Sequence, residues 1–142
     1  MMTRSLLALR IACLAVLLGF ANVQSVPAAL TLEKQDRICI IGSGLADRMQ
    51  HDGWLETVLH SAYPKHYLTI RNLGYTGDTV WSRPRNRGFP SQDQYLKDIK
   101  ADVIFIMFGY NESFGGEGGL GKYRDELGKL VDNYRSMKPN GK

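Results

Sequence analysis

The chain is poor in the residues that build metal centres and covalent staples. It contains two cysteines, Cys13 and Cys39, and three histidines in 142 residues. Cys13 falls in an N-terminal apolar run. Cys39 sits inside a strand-like apolar run and reads as a small buried hydrophobe. No internal disulfide is available once the N-terminal run is set aside, and the absence of any Cys-x-x-Cys pair removes the common metal and redox motifs. Charge of one sign is also scarce. Eighteen basic residues against 14 acidic ones leave a mild net charge of +4, and no DNA- or RNA-binding motif is present. The excess gathers in the N-terminal segment and in Trp81-Ser-Arg-Pro-Arg-Asn-Arg-Gly-Phe89, with Arg83, Arg85 and Arg87. That cluster is expected to be a solvated loop, with an anionic ligand or partner surface as the sharper alternative.

The N-terminal apolar run, Ile11 to Phe20, is shorter than the ~20 residues that span a bilayer. Arg4 and Arg10 precede it, and small residues follow from Ser25 to Ala29. A charged start, a short apolar centre and a small-residue zone together predict a secretory signal peptide over residues 1–29, cleaved somewhere in 25–29. The expected location is secreted or periplasmic. An uncleaved membrane anchor is the alternative. A lipoprotein reading of Cys13 fits poorly, because the apolar stretch follows the cysteine.

What remains, residues 30–142, is punctuated by glycine and proline. Arg37 to Ile41 is a short apolar run closed by Gly42, which predicts a buried strand. Leu45 to Gln50 predicts a helical turn broken at Asp52-Gly53. Trp54, Leu55, Val58, Leu59 and Ala62 have helical spacing on one face, and Pro64 stops them. A second strand is expected over Tyr67 to Leu73, and a long polar loop follows it. A helix is expected over Gln92 to Lys100 with Tyr95, Leu96 and Ile99 facing inward. The third strand is Val103 to Phe108, and an amphipathic helix from Leu120 to Tyr134 ends before Pro139.

Strands alternating with helices predict an α/β fold with a parallel sheet. The third strand is apolar at every position, which suits a sheet centre covered on both faces. A long apolar edge strand is a liability that proteins avoid. The expectation is therefore a partial domain, truncated after the third strand, whose next strand lies beyond Lys142.

Each apolar strand runs directly into a polar, glycine-bearing segment: Gly42-Ser-Gly-Leu45, then Asn72-Leu-Gly-Tyr-Thr-Gly-Asp-Thr79, then Gly109-Tyr-Asn-Glu112. Parallel strands place these segments along one sheet edge, where α/β proteins bind ligands. A dinucleotide fingerprint G-x-G-x-x-G fits Gly42 and Gly44 but meets Asp47 at its third glycine. That carboxylate is wrong for a pyrophosphate, and the second strand ends in Arg71-Asn72 without the ribose-holding acid. The G-x-S-x-G elbow fails as well, since Ile41 and Leu45 flank the motif.

The three blocks resemble those of the SGNH hydrolases, also called GDSL esterases and lipases. That family carries Gly-Asp-Ser-Leu after its first strand, Asn-x-Gly-x-x-Gly-Asp-Thr after its second and Gly-x-Asn-Asp after its third. The resemblance covers Arg37 to about Lys138 and implies a three-layer sandwich with a flavodoxin-like parallel sheet. It also implies hydrolysis of ester bonds, often of lipids or acetylated sugars, without metal or cofactor. By the same resemblance the Gly77 N–H and the Asn111 side-chain amide form an oxyanion hole, in which loss of one donor typically costs about 10²–10³ in rate. Asp78, Thr79 and Glu112 are expected to support the loops, Asp78 and Thr79 through side-chain to backbone bonds.

Two departures stand out. Gly44 occupies the place of the family's nucleophilic serine, and Ser43 the place of its aspartate. Ser43 is a candidate nucleophile if the loop is shifted by a residue, and otherwise a helix cap. No Asp-x-x-His occurs, and a serine without a base is a weak nucleophile. Of the three histidines, His51 is nearest the elbow in sequence, whereas His60 and His66 read as surface or packing residues. The alternative function is a catalytically inactive module that binds a carbohydrate or acyl group in the same cleft.

Overall fold

The computed structural model describes residues 30–85 and 87–137. The expected signal peptide, residues 1–29, lies outside them. Among the described residues no helix is long and apolar enough to cross a membrane.

The elements in chain order are β1 (Arg37–Gly42), α1 (Gly44–Asp52), α2 (Trp54–Ala62), β2 (Thr69–Asn72), α3 (Gln92–Ile99), β3 (Val103–Met107) and α4 (Leu120–Met137). Two short 3-10 turns, Glu112–Gly115 and Glu117–Gly119, occupy the glycine-rich stretch before α4. The sheet is parallel with strand order β2-β1-β3. Ile38 lies opposite both Ile70 and Val103, and Gly42 opposite Met107.

The period-2 alternation of β1 divides the core into two. Ile38 and Ile40 point to one face, where Ala46, Ile70 and Val103 join them and Leu55 and Leu59 of α2 close the layer. Cys39 and Ile41 point to the other, against Leu96 of α3 and Leu130 and Tyr134 of α4. The result is helices, sheet, helices: an α/β sandwich with α1 and α2 on one face and α3 and α4 on the other. Burial pushes the Cys39 thiol up to about 11, so it is a neutral packing group at ordinary pH.

Several side chains depart from the expected pattern. Strand β1 is the central strand among the described residues, and β3 has one side unpaired, as a partial domain requires. Strand β3 stands at an edge, with Ile104 to Met107 only half-buried. Helix α2 has the predicted bounds, but Trp54 and Val58 are exposed, so the stripe that packs on the core narrows to Leu55 and Leu59, both half-buried. Tyr95 of α3 is turned to solvent as well. Strand β2 is shorter than expected, because Tyr67 adopts a positive φ of 53° and only Thr69–Asn72 extend the sheet.

Candidate functional site

The three glycine-bearing blocks meet at the C-terminal ends of the strands. The first is pressed against both others. Gly42 lies so close to Met107 that a Cβ there would strike the Met107 carbonyl. The Ser43 N–H donates to that carbonyl at 3.3 Å, and the Tyr75 N–H donates to the Gly42 carbonyl at 3.1 Å. Glycine is therefore dictated at position 42 by close approach of the backbones.

Ser43 occupies the N-cap of α1, but its hydroxyl makes no capping bond. The expected side-chain cap is thus absent. Only the Ser43 carbonyl serves the helix, accepting from the Asp47 N–H at 3.0 Å. The residue is 1% exposed, because the turn is held under the end of β3. Gly44, the first helical residue, stands beside it, and a Cβ placed there meets nothing within 4 Å. The nucleophile's expected position is thus occupied by a glycine with open space next to it.

The second block is braced from both sides. Asn72 donates its amide to the Ala46 carbonyl at 2.7 Å and accepts from the Gly74 N–H at 2.8 Å. The Thr76 hydroxyl donates to Asp47 at 2.6 Å, and Gln50 donates to the Gly74 carbonyl at 2.9 Å. Together these bonds pin the loop to α1. Gly77 has a φ of +94°, a conformation that favours glycine. Its N–H has no hydrogen-bond partner among the described residues.

The supporting bonds expected from Asp78 go to a different partner. Its carboxylate is 1% exposed and receives the Arg85 guanidinium on both oxygens, at 3.0 and 2.8 Å. Those bonds hold Arg85 above its ordinary pKa. Arg85 also packs over the Tyr75 ring. Arg83 donates to the Val80 carbonyl and pairs with Asp93 at 3.7 Å. Two arginines of the expected solvated cluster are therefore half-buried struts, and Arg87 alone is exposed. Thr79 does bond the backbone: its hydroxyl accepts from the Ser82 N–H at 3.0 Å.

The third block closes the arrangement. The Asn111 amide donates to the Asp78 carbonyl at 2.9 Å, which puts its side chain beside the residue that follows Gly77. One amide hydrogen is used in that bond and the second remains. Glu112 is buried and bridges two loops, accepting from the Val80 N–H at 2.7 Å and from the Gly109 N–H at 2.9 Å.

A cleft of about 690 Å³ opens between the blocks. Ser43, Gly44, Leu45 and Arg48 line it from the first block and α1, Thr76 from the second block, and Met107, Phe108 and Tyr110 from the end of β3 and the third block. Gly77 and Asn111 are one residue further along the chain than the lining residues Thr76 and Tyr110, and do not themselves line it. No histidine lines it either: His51 and His60 are exposed on α1 and α2, and His66 packs edge-on against Tyr63. Among the described residues no group of three His, Cys, Asp or Glu side chains could hold a metal ion. Residues that sequence reading left without a role are Asn72, Asp47 and Arg48. The asparagine that opens the second block was a usable signal for the first of these.

No protein-family model and no curated protein matches the chain. Solved structures similar to it include a gut microbial diltiazem-metabolizing enzyme, at 15% identity and a TM-score of 0.46 over 77% of this chain. A catalytic mutant of an acetylxylan esterase from Geobacillus stearothermophilus is similar at 18% identity and a TM-score of 0.48 over 79% of this chain. The chain spans 24% and 58% of the lengths of those two structures.

Proposed function

We propose that the cleft is that of an SGNH-type hydrolase acting on ester bonds, in a secreted or periplasmic protein. The observation that carries this reading is the Asn111 amide bonded to the Asp78 carbonyl. It sets an uncharged N–H donor against the residue that follows Gly77, whose own N–H has no partner among the described residues, on two loops that the motifs alone had paired. Donors fixed in this way stabilise an acyl oxyanion without reorganising when charge develops. In the reaction, a hydroxyl gives up its proton and attacks the acyl carbon, the carbonyl oxygen takes the negative charge beside these donors, the alcohol leaves with that proton, and water then attacks the acyl group to release the acid and restore the hydroxyl. Ser43, in the first block, is the serine that lines the cleft. The substrates are acyl esters of lipids or acetylated carbohydrates.

A second reading has its own observation. Position 44 carries no side chain, and no histidine lines the cleft. Oxyanion donors retained without a nucleophile and base would leave a module that binds a carbohydrate or acyl group and does not turn it over.

Hydrolysis of p-nitrophenyl acetate by the full chain, by Ser43→Ala and by Asn111→Ala separates the two. The hydrolase reading expects turnover that falls by about 10²–10³ in Asn111→Ala and is abolished in Ser43→Ala. Turnover unchanged in Ser43→Ala removes that serine from the mechanism, and turnover unchanged in Asn111→Ala removes the oxyanion hole. Ligand binding with no turnover in any variant establishes the binding module.

A further inference from the structure

We propose that Arg48 makes this cleft selective for esters that carry a second, negatively charged group, a carboxylate being the type case. The inference rests on the hydrolase reading and names its substrate class. Gly44 and Arg48 are four residues apart on α1, so they share a face one turn from each other. Helical side chains lean back toward the helix N-terminus, which tilts Arg48 toward Gly44 and the start of α1. Both residues line the cleft, and Arg48 is the only cation among the described residues that does.

The charge is uncommitted. Arg37, Arg83, Arg85 and Arg135 each pair with an aspartate, whereas Arg48 makes no ion pair among the described residues. Its neighbour Asp47 faces the second loop: one oxygen accepts from Thr76 at 2.6 Å, the other from Gln50 at 3.2 Å, and the residue does not line the cleft. Asp52, one turn further along, forms no ion pair with Arg48 either. The first turn of α1 has no side-chain cap and adds the positive end of the helix dipole to the same wall. Leu45, Met107 and Phe108 supply apolar surface for the stem between the two ends of such a substrate. An ester whose carbonyl lies toward Gly77 and Asn111 can then present a terminal carboxylate to the guanidinium, in a charge-assisted hydrogen bond.

The test compares monomethyl succinate with methyl butyrate, a neutral ester of similar length, by amide chemical-shift titration of the full chain. The expected result is about tenfold tighter binding of the succinate monoester, a difference of about 1.4 kcal/mol, with shifts at Gly44 and Leu45. The preference should vanish in Arg48→Gln, persist in part in Arg48→Lys, and shrink as salt is raised. Because Arg48 is exposed, both variants should fold, as far-UV circular dichroism will check. Equal binding of the two esters, or a preference that survives Arg48→Gln, overturns the proposal and leaves the hydrolase reading standing. If neither ester moves the Gly44, Gly77 or Asn111 resonances, the hydrolase reading falls and takes this proposal with it.

Discussion

Asp78 has a carboxylate that is almost wholly removed from water and answered by one side chain, the Arg85 guanidinium. Removing one member of such a pair leaves the other charge desolvated and unmatched. Arg85 retains 20% side-chain exposure, so water partly compensates. Asp78→Asn is therefore expected to cost about 2 kcal/mol, below the roughly 3–5 kcal/mol of a fully buried pair. Urea unfolding measures it, and a loss under about 0.5 kcal/mol would place the pair with ordinary surface bridges. The sequence announced Asp78 as a loop support but not the identity of its partner. Both facts follow from how the residue works: Asp-Thr after a glycine is a local turn signal, whereas the choice of Arg85 among three closely spaced arginines depends on how the loop folds back. Glu112 is the stronger case. Its bond to the Val80 N–H joins positions 32 residues apart, a distance that no local spacing encodes. Ser43 shows the opposite error. N-cap chemistry predicted a hydroxyl bond, and contact of the same turn with β3 overrode it.

At the level of the elements, the turn between β1 and α1 is fixed by backbone approach. Gly42→Ala would drive a methyl group into the Met107 carbonyl and spread the ends of β1 and β3. Overpacking of this kind costs about 1–3 kcal/mol. Thermal melting should show the loss, while Gly44→Ser, with open space around position 44, should melt within about a degree or two of the parent. Comparable losses in both would mean that the turn tolerates no side chain at either position. Strand and helix existence was readable throughout, since the apolar periods are set by the two faces of the sheet. Lateral order was not. Val103 to Met107 is apolar at every position because Phe105 and Met107 face one helical layer while Ile104 and Ile106 face the other. That pattern records coverage above and below the strand, and it carries no information about hydrogen-bonding neighbours on either side. An expected partial domain, truncated after the third strand, leaves β3 with one side unpaired among the described residues, as it is here.

Across the whole molecule, protection should follow the sheet order. Strand β1 pairs on both sides and holds the most deeply buried side chains, so its amides should be among the last to exchange with solvent. In β3, only those amides directed at β1 are bonded within the described sheet, and the others should exchange much faster. Hydrogen exchange resolved by residue will decide this, and uniform protection along β3 would mean that a further strand covers its outer edge. The cleft lies at the opposite end of the strands from where β1 begins, and its parts come from segments separated by dozens of residues. Through Glu112 those segments are mechanically one. The carboxylate grips the backbone on either side of the gap, and Asn111, the next residue in the chain, grips the second loop as well. A ligand that displaces the second loop must drag the third with it, so Gly77 and Asn111 travel as a pair and the spacing between them outlasts the movement.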